Sequence, residues 1–187
     1  MARHAHAPQT LGLLGALAIC ACTEGEPEPP DVPAELEYCA PVRDWEPARA
    51  ELEEEVLVLL NEIRARGASC GDEGFAPAGP LTMNPALRCA ARRHALDMGE
   101  LDFFSNLDPD GLGFAERAAM AEYDATPLFQ TIGARQSTAE EVVTAIMGSL
   151  GLCAQAMDPA ANEVGIGHGP DTDAEYVRYW AQVYGVR

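Results

Sequence analysis

The 187-residue chain is predicted to be α+β, with helices packed on a small antiparallel sheet. Three observations predict this. Three separate stretches carry apolar residues at helical spacing. The last quarter changes to β-branched and aromatic residues with partial alternation on either side of a turn-rich break. An isolated hairpin cannot cover its own apolar face, so the helices and the hairpin must form layers against each other.

The first helix is EPARAELEEEVLVLLNEIRARG, residues 46–67. Pro47 suits a first helical position and Gly67 suits the stop. Leu52, Val56, Leu59 and Ile63 form its apolar stripe, with acids toward the start and arginines toward the end, as the helix dipole prefers. The second is NPALRCAARRHALDMGEL, residues 84–101. Asn84 caps it, Pro85 opens it, and Leu87, Ala91, His94, Met98 and Leu101 share one face. The third is STAEEVVTAIMGSL, residues 137–150. Ser137 and Glu140 have capping-box spacing, and Val143, Ile146 and Leu150 make the stripe. Residues 114–136 lack a clear period and are expected to be largely loop. EVGIGHG (163–169) and EYVRYWAQVYG (175–185), separated by Gly-Pro-Asp-Thr-Asp, read as a hairpin with a long connection.

The N-terminus reads as a targeting segment. MARHAH is weakly positive, and LGLLGALAICAC is an apolar run too short to span a bilayer comfortably. Its end, Ile19-Cys20-Ala21-Cys22, resembles a bacterial lipoprotein signal in which Cys22 is acylated; an ordinary secretory peptide is the alternative. Residues 1–22 are therefore the expected signal. TEGEPEPPDVPAELE, residues 23–37, has four prolines and six acids. With no apolar period it is expected to be an extended tether, leaving 38–187 as the folded domain.

All 12 basic residues are arginine, and the formal net charge is −18. That balance excludes nucleic acid as a natural partner and argues against attraction to anionic lipid surfaces, so membrane contact is expected through the anchor alone. Beyond the signal lie Cys39, Cys70, Cys89 and Cys153. An even number in an exported chain points to two disulfides, with three possible connectivities. A zinc site is the competing reading, disfavoured because no pair has close ligand spacing.

The loop FFSNLDPDGLGF, residues 103–114, has the composition of a working site but centres on Asn106, which cannot act as a general base. Asn106, Asp108, Asp110 and Gly111 match the first half of a calcium loop, but the twelfth position is Arg117 and Pro109 stiffens the middle. Turn chemistry explains the same residues. Gly-Ala-Ser-Cys-Gly lacks a nucleophile elbow's setting, and GIGHGP is a lone glycine pattern with no helix after it. His94 on its apolar stripe reads as a core histidine, with a catalytic one as the alternative. His168 reads as an exposed loop histidine, and Trp45 and Trp180 as core or domain-edge packing.

NEIRARG, PLTMNPALRCAARRHALDM, FFSN with DPDG, QSTAEEVV, Gly151-Leu152-Cys153, NEVGIG and YWAQVYG occur in the order of a bacterial CAP (SCP) domain. This is the superfamily of cysteine-rich secretory, antigen-five and pathogenesis-related proteins, which the chain resembles over residues 50–187. The resemblance implies an α-β-α sandwich. It also implies a cleft of two histidines and acids suited to a divalent metal. Asn106 stands at the first histidine, Gln130 at the glutamate and Leu152 at the second histidine, while His94 matches a further histidine common in the family. The resemblance pairs Cys70 with Cys153 and Cys39 with Cys89. It implies that the metal cleft is lost, with no metal, cofactor or catalytic residue, and a binding role toward a lipid, a cell-wall component or a protein. A hydrolase with an unrecognised site and a structural spacer are the alternatives.

Overall fold

The computed structural model describes Met1 and residues 31–187. The expected signal, Cys22 and residues 23–30 of the expected tether lie outside the described residues. Residues 31–37 of that tether are seated on the folded body. Val32 is buried with Cys39, Val42 and Cys89, and Asp31 pairs with Arg88 and Arg92. A short 3-10 helix, Glu37–Val42, follows.

The elements are α1 (Pro47–Arg66), β1 (Ala68–Cys70), β2 (Glu73–Phe75), β3 (Thr82–Met83), α2 (Pro85–Glu100) and α3 (Phe114–Met120), then β4 (Thr126–Ala134), α4 (Ala139–Gly148), α5 (Leu150–Ala156), β5 (Glu163–His168) and β6 (Tyr179–Val186). The main sheet has the order β3-β5-β6-β4; β5–β6 and β6–β4 are antiparallel and β3 joins β5 in parallel. Its two faces are covered by different helices. Val56 and Leu60 of α1 and Val142, Val143 and Ile146 of α4 pack on Val164, Ile166, Trp180 and Tyr184. Leu87, Ala91, Ala95 and Met98 of α2 pack on Tyr179, Ala181 and Val183. The result is a three-layer α-β-α sandwich, the α+β architecture expected.

The helix starts follow local chemistry. Pro47 opens α1, and Gly67 ends it at φ +78°, a conformation that favours glycine. Asn84 Oδ1 accepts from the N–H groups of Ala86 and Leu87, the capping expected of it. The buried line of α1 is Glu53, Val56, Leu60 and Arg64, so two charged residues share its inner face. Arg64 does more than complement a dipole. Its guanidinium donates to the carbonyls of Gly79, Ala156, Asp158 and Ala161, tying the end of α1 to the α5–β5 turn.

Several sequence expectations are corrected. Residues 114–136 are not largely loop, because they supply α3 and β4. β4 shows no clean alternation: it runs from exposed Thr126 through half-buried residues, and its two buried residues, Gln130 and Thr131, are successive. The third helix is two helices, interrupted at Ser149, whose backbone is extended, and Leu150 is exposed. Its N-cap is Thr138, which accepts from Glu141 N–H, while Glu141 Oε2 accepts from Ser137 N–H; the box lies one residue later than Ser137 and Glu140. Leu101 is outside α2 and exposed. The second hairpin strand starts at Tyr179 rather than Glu175, after Val177 takes a positive φ of 65°.

The glycines of GIGHGP have a packing role. A β-carbon on Gly165 would collide with the backbone of Leu87, and one on Gly167 with the backbone of Ala91 and Arg92. They let α2 lie directly on β5. His168 is not an exposed loop residue. It closes β5 at 4% exposure and stacks on Trp180 with ring centroids 4.0 Å apart. The disulfides join Cys39 to Cys89 and Cys70 to Cys153, with Cα separations of 5.7 and 5.6 Å. These are the pairs that the resemblance implied, and they leave none of the four cysteines free for zinc.

Candidate functional site

The loop after α2, the short helix α3 and the edge strand β4 converge on one hydrogen-bonded set. Gln130 Nε2 donates to Asn106 Oδ1 at 3.1 Å. Arg117 Nη2 donates to Gln130 Oε1 at 3.1 Å and to the Asn106 carbonyl at 2.9 Å. The Leu112 carbonyl accepts from Arg117 Nη1. Arg117 is 1% exposed. Burial pulls its pKa below the ordinary arginine value, with Tyr38 and Asp108 acting in the opposite sense. A guanidinium still keeps its proton at neutral pH. The positions that the resemblance assigns to a histidine and a glutamate are thus an amide pair locked by a buried cation.

The neighbouring loop closes on itself. Asp108 Oδ1 accepts from Asp110 N–H at 3.0 Å and from Leu112 N–H at 2.8 Å, while Gly111 takes φ +84°. This is the Asx-type turn chemistry that the sequence offered as the alternative to calcium. Arg117 Nη1 lies 3.9 Å from Asp108 Oδ2, so a cation already faces that carboxylate.

His94 sits beside this set without joining it. A carbonyl can only accept, so His94 Nε2, 2.9 Å from Ser105 O, is the protonated nitrogen. Burial first, and then the Arg117 charge, lower its pKa to about 4. It is a neutral core histidine that pins the start of the loop. Leu152 is separate. It lines a cavity of about 530 Å³ with Ile132, Val142, Ile146, Tyr176 and Gln182, and neither Asn106 nor Gln130 lines that cavity. The structure therefore brings Asn106 and Gln130 together, with His94 near Arg117 and Leu152 in the wall of a cavity that neither amide lines.

The set does not fit a divalent metal. Amide oxygens are weak ligands for a borderline ion, and here they are engaged with each other and with Arg117. A buried guanidinium in the same set repels a second cation at short range. Among the described residues no group of three His, Cys, Asp or Glu side chains converges on a common point.

A second buried polar cluster centres on α1 and α2. Glu53, at 0% exposure, accepts from Arg88 Nε and Nη2, from Arg92 Nε and Nη2, from Trp45 Nε1 and from the His168 backbone N–H. The Arg92 guanidinium also lies over the Trp45 ring at 5.2 Å. This cluster joins α1, α2, β5 and the segment at Asp31, so its role is architectural. Sequence reasoning missed it, and it missed Arg117. The available signals were an acid on the inner stripe of α1 and arginines four residues apart at positions 88 and 92.

The profile of the cysteine-rich secretory protein family (CAP) matches residues 57–184. A search of curated proteins gives no match. Among solved structures, the chain is similar to an extracellular protein containing an SCP domain from Bacillus anthracis, at 16% identity and a TM-score of 0.62. That alignment covers 74% of this chain and 41% of the Bacillus one, so this chain spans well under half of that protein. An outer surface protein from Borrelia burgdorferi aligns at 15% identity and a TM-score of 0.56, covering 77% of this chain and 96% of that one. These similarities establish a shared fold. With the three-layer sandwich in place and the profile matched across most of the folded part, this chain belongs to the cysteine-rich secretory protein family.

Proposed function

We propose that this chain is a non-catalytic binding member of its family, exported and held at a bacterial envelope, with the family's metal cleft replaced. The observation that carries the reading is the engagement of Gln130 by Arg117 and Asn106. Neither amide titrates, so neither serves as general acid or base. The nearby His94 has its pKa lowered to about 4, and its protonated nitrogen is committed to Ser105. What remains is a rigid, disulfide-braced scaffold, and its acidic surface and modified cleft region are the contact areas. A lipid, a cell-wall component or a protein is the ligand class in view.

Two disulfides support export, since such bonds persist in oxidising compartments. The Ile19-Cys20-Ala21-Cys22 segment supports acylation at Cys22. Residues 23–30 would then link the acyl group to Asp31, where the packed body begins.

Zinc titration calorimetry on the full chain tests the replaced cleft. The expected result is no saturable heat. Stoichiometric uptake, lost in an Asn106→Ala, Gln130→Ala double variant, would overturn the reading and restore the hydrolase alternative.

A further inference from the structure

The cavity lined by Leu152 opens beside the free edge of the sheet. In the order β3-β5-β6-β4, β4 has a neighbour on one side only. One residue past its end, Arg135 N–H donates to Arg178 O at 3.0 Å. Antiparallel ladders alternate, so the backbone groups of Ile132 and Ala134 point away from β6. Among the described residues those outward groups have no hydrogen-bond partner. Ile132 and Ala134 also line the cavity. A strand edge with open donors and acceptors therefore runs along its rim.

The cavity wall is apolar where Ile132, Val142, Ile146 and Leu152 line it. Arg135 also lines the cavity and is exposed, with its guanidinium over the Tyr176 ring at 4.8 Å and no ion pair among the described residues.

We propose that the outer edge of β4 takes up an extended peptide segment of a partner protein as an added strand. Its main chain pairs with Ile132 and Ala134. One apolar side chain enters the cavity, and a carboxylate of the segment meets Arg135. Strand addition draws affinity from main-chain hydrogen bonds and selectivity from pockets beside the edge, and both are present here. A small apolar molecule would fill the cavity but leave the edge unpaired. The inference gives the binding role a ligand class, yet it does not rest on loss of the metal. Zinc uptake by the wild type would overturn the replaced cleft and leave this site standing.

The test is selection of a displayed random octapeptide library on the full chain, with selected peptides then titrated onto variants. Ala145 is an exposed cavity residue of α4, so Ala145→Trp closes the pocket from outside the core. Ala134→Pro removes an outward N–H and no bond to β6. Thermal midpoints of both variants serve as the folding control. Enriched peptides are expected to combine an apolar residue with an acid. Their affinity should fall at least 10-fold in Ala145→Trp and in Ala134→Pro, and several-fold in Arg135→Gln. Amide exchange across Thr126–Ala134 should slow in the complex. No enrichment above the bare surface, or equal binding to folded Ala145→Trp, overturns the proposal. A wild-type dimer that both variants abolish, with no peptide enrichment, assigns the edge to a second copy of the chain and overturns it too.

Discussion

Arg92 Nη2 donates to Glu53 Oε2 at 2.6 Å although neither side chain reaches solvent. Arg88 shares the same carboxylate, so one acid answers two guanidinium groups inside the molecule, with Asp31 and Glu54 supplying further charge from the rim. The cluster is the junction of four chain segments distant in sequence. A buried ion pair adds little net stability over an apolar replacement, but removing one member strands the others.

Glu53→Gln should therefore destabilise the fold by about 3–5 kcal/mol, the cost of leaving a buried charge without its partner. Urea unfolding reads this directly. Asp31→Asn, at the exposed rim of the same cluster, should cost about 1 kcal/mol or less. Equal losses in the two variants would show that Glu53 is not the centre of the network.

His94 and His168 both have pKa values lowered to about 4 from an ordinary 6.5, chiefly by burial. Above the ordinary value both are neutral whether folded or unfolded, and stability is flat with respect to them. As pH falls from 6.5 toward 4 the unfolded chain takes up protons that the folded chain refuses, so stability declines across that window. Each histidine contributes on the order of 3 kcal/mol to the decline. His168→Phe, which keeps a ring against Trp180, should roughly halve the slope between those limits. An unchanged slope in urea titrations would exclude His168 as a contributor.

Gly165→Ala should abolish the native packing of α2 on β5, because the added β-carbon collides with the Leu87 backbone rather than with a movable side chain. Soluble yield and near-ultraviolet circular dichroism read the outcome. Gly79→Ala is the control, since nothing lies near a β-carbon there. It should leave both measurements unchanged.

Cys70 and Cys153 are 83 residues apart in sequence. Replacing both with alanine should lower stability by about 4–5 kcal/mol on the chain-entropy account of a cross-link. Cys39–Cys89 closes a shorter loop of separation 50. Its removal should cost slightly less on the same account, and it should also loosen the seat of Val32 beside it. Guanidinium unfolding of the two double variants compares them.

Much of the fold was legible because it is local. Asn84, Pro47 and Gly67 act within a few residues of themselves, so capping and stopping could be read from neighbours in the chain. The hairpin of β5 and β6 was legible because one turn-rich stretch joins two strands of distinct composition. β4 was not. It owes its place to a ladder with β6, more than forty residues later, and its mostly half-buried residues carry none of the alternation that marks a strand. The split between α4 and α5 was hidden too, since Ser149 takes an extended backbone inside a stretch whose apolar spacing runs on as one helix.

At the site, the chemistry on offer is fixed by residue type. Asparagine, glutamine and leucine carry no titratable group and no strong ligand, whatever surrounds them. How those residues are used depends on the packing of distant elements. It set Arg117 of α3 against Gln130 of β4, which no spacing predicts, because the contact depends on where two elements stop and how they pack. It also turned His168 from an expected loop residue into the partner of Trp180 and left the β4 edge open beside a cavity. Residue chemistry is a property of each position alone. Burial, partner and exposed edge are properties of distant segments meeting, and the chain specifies them only through the whole fold.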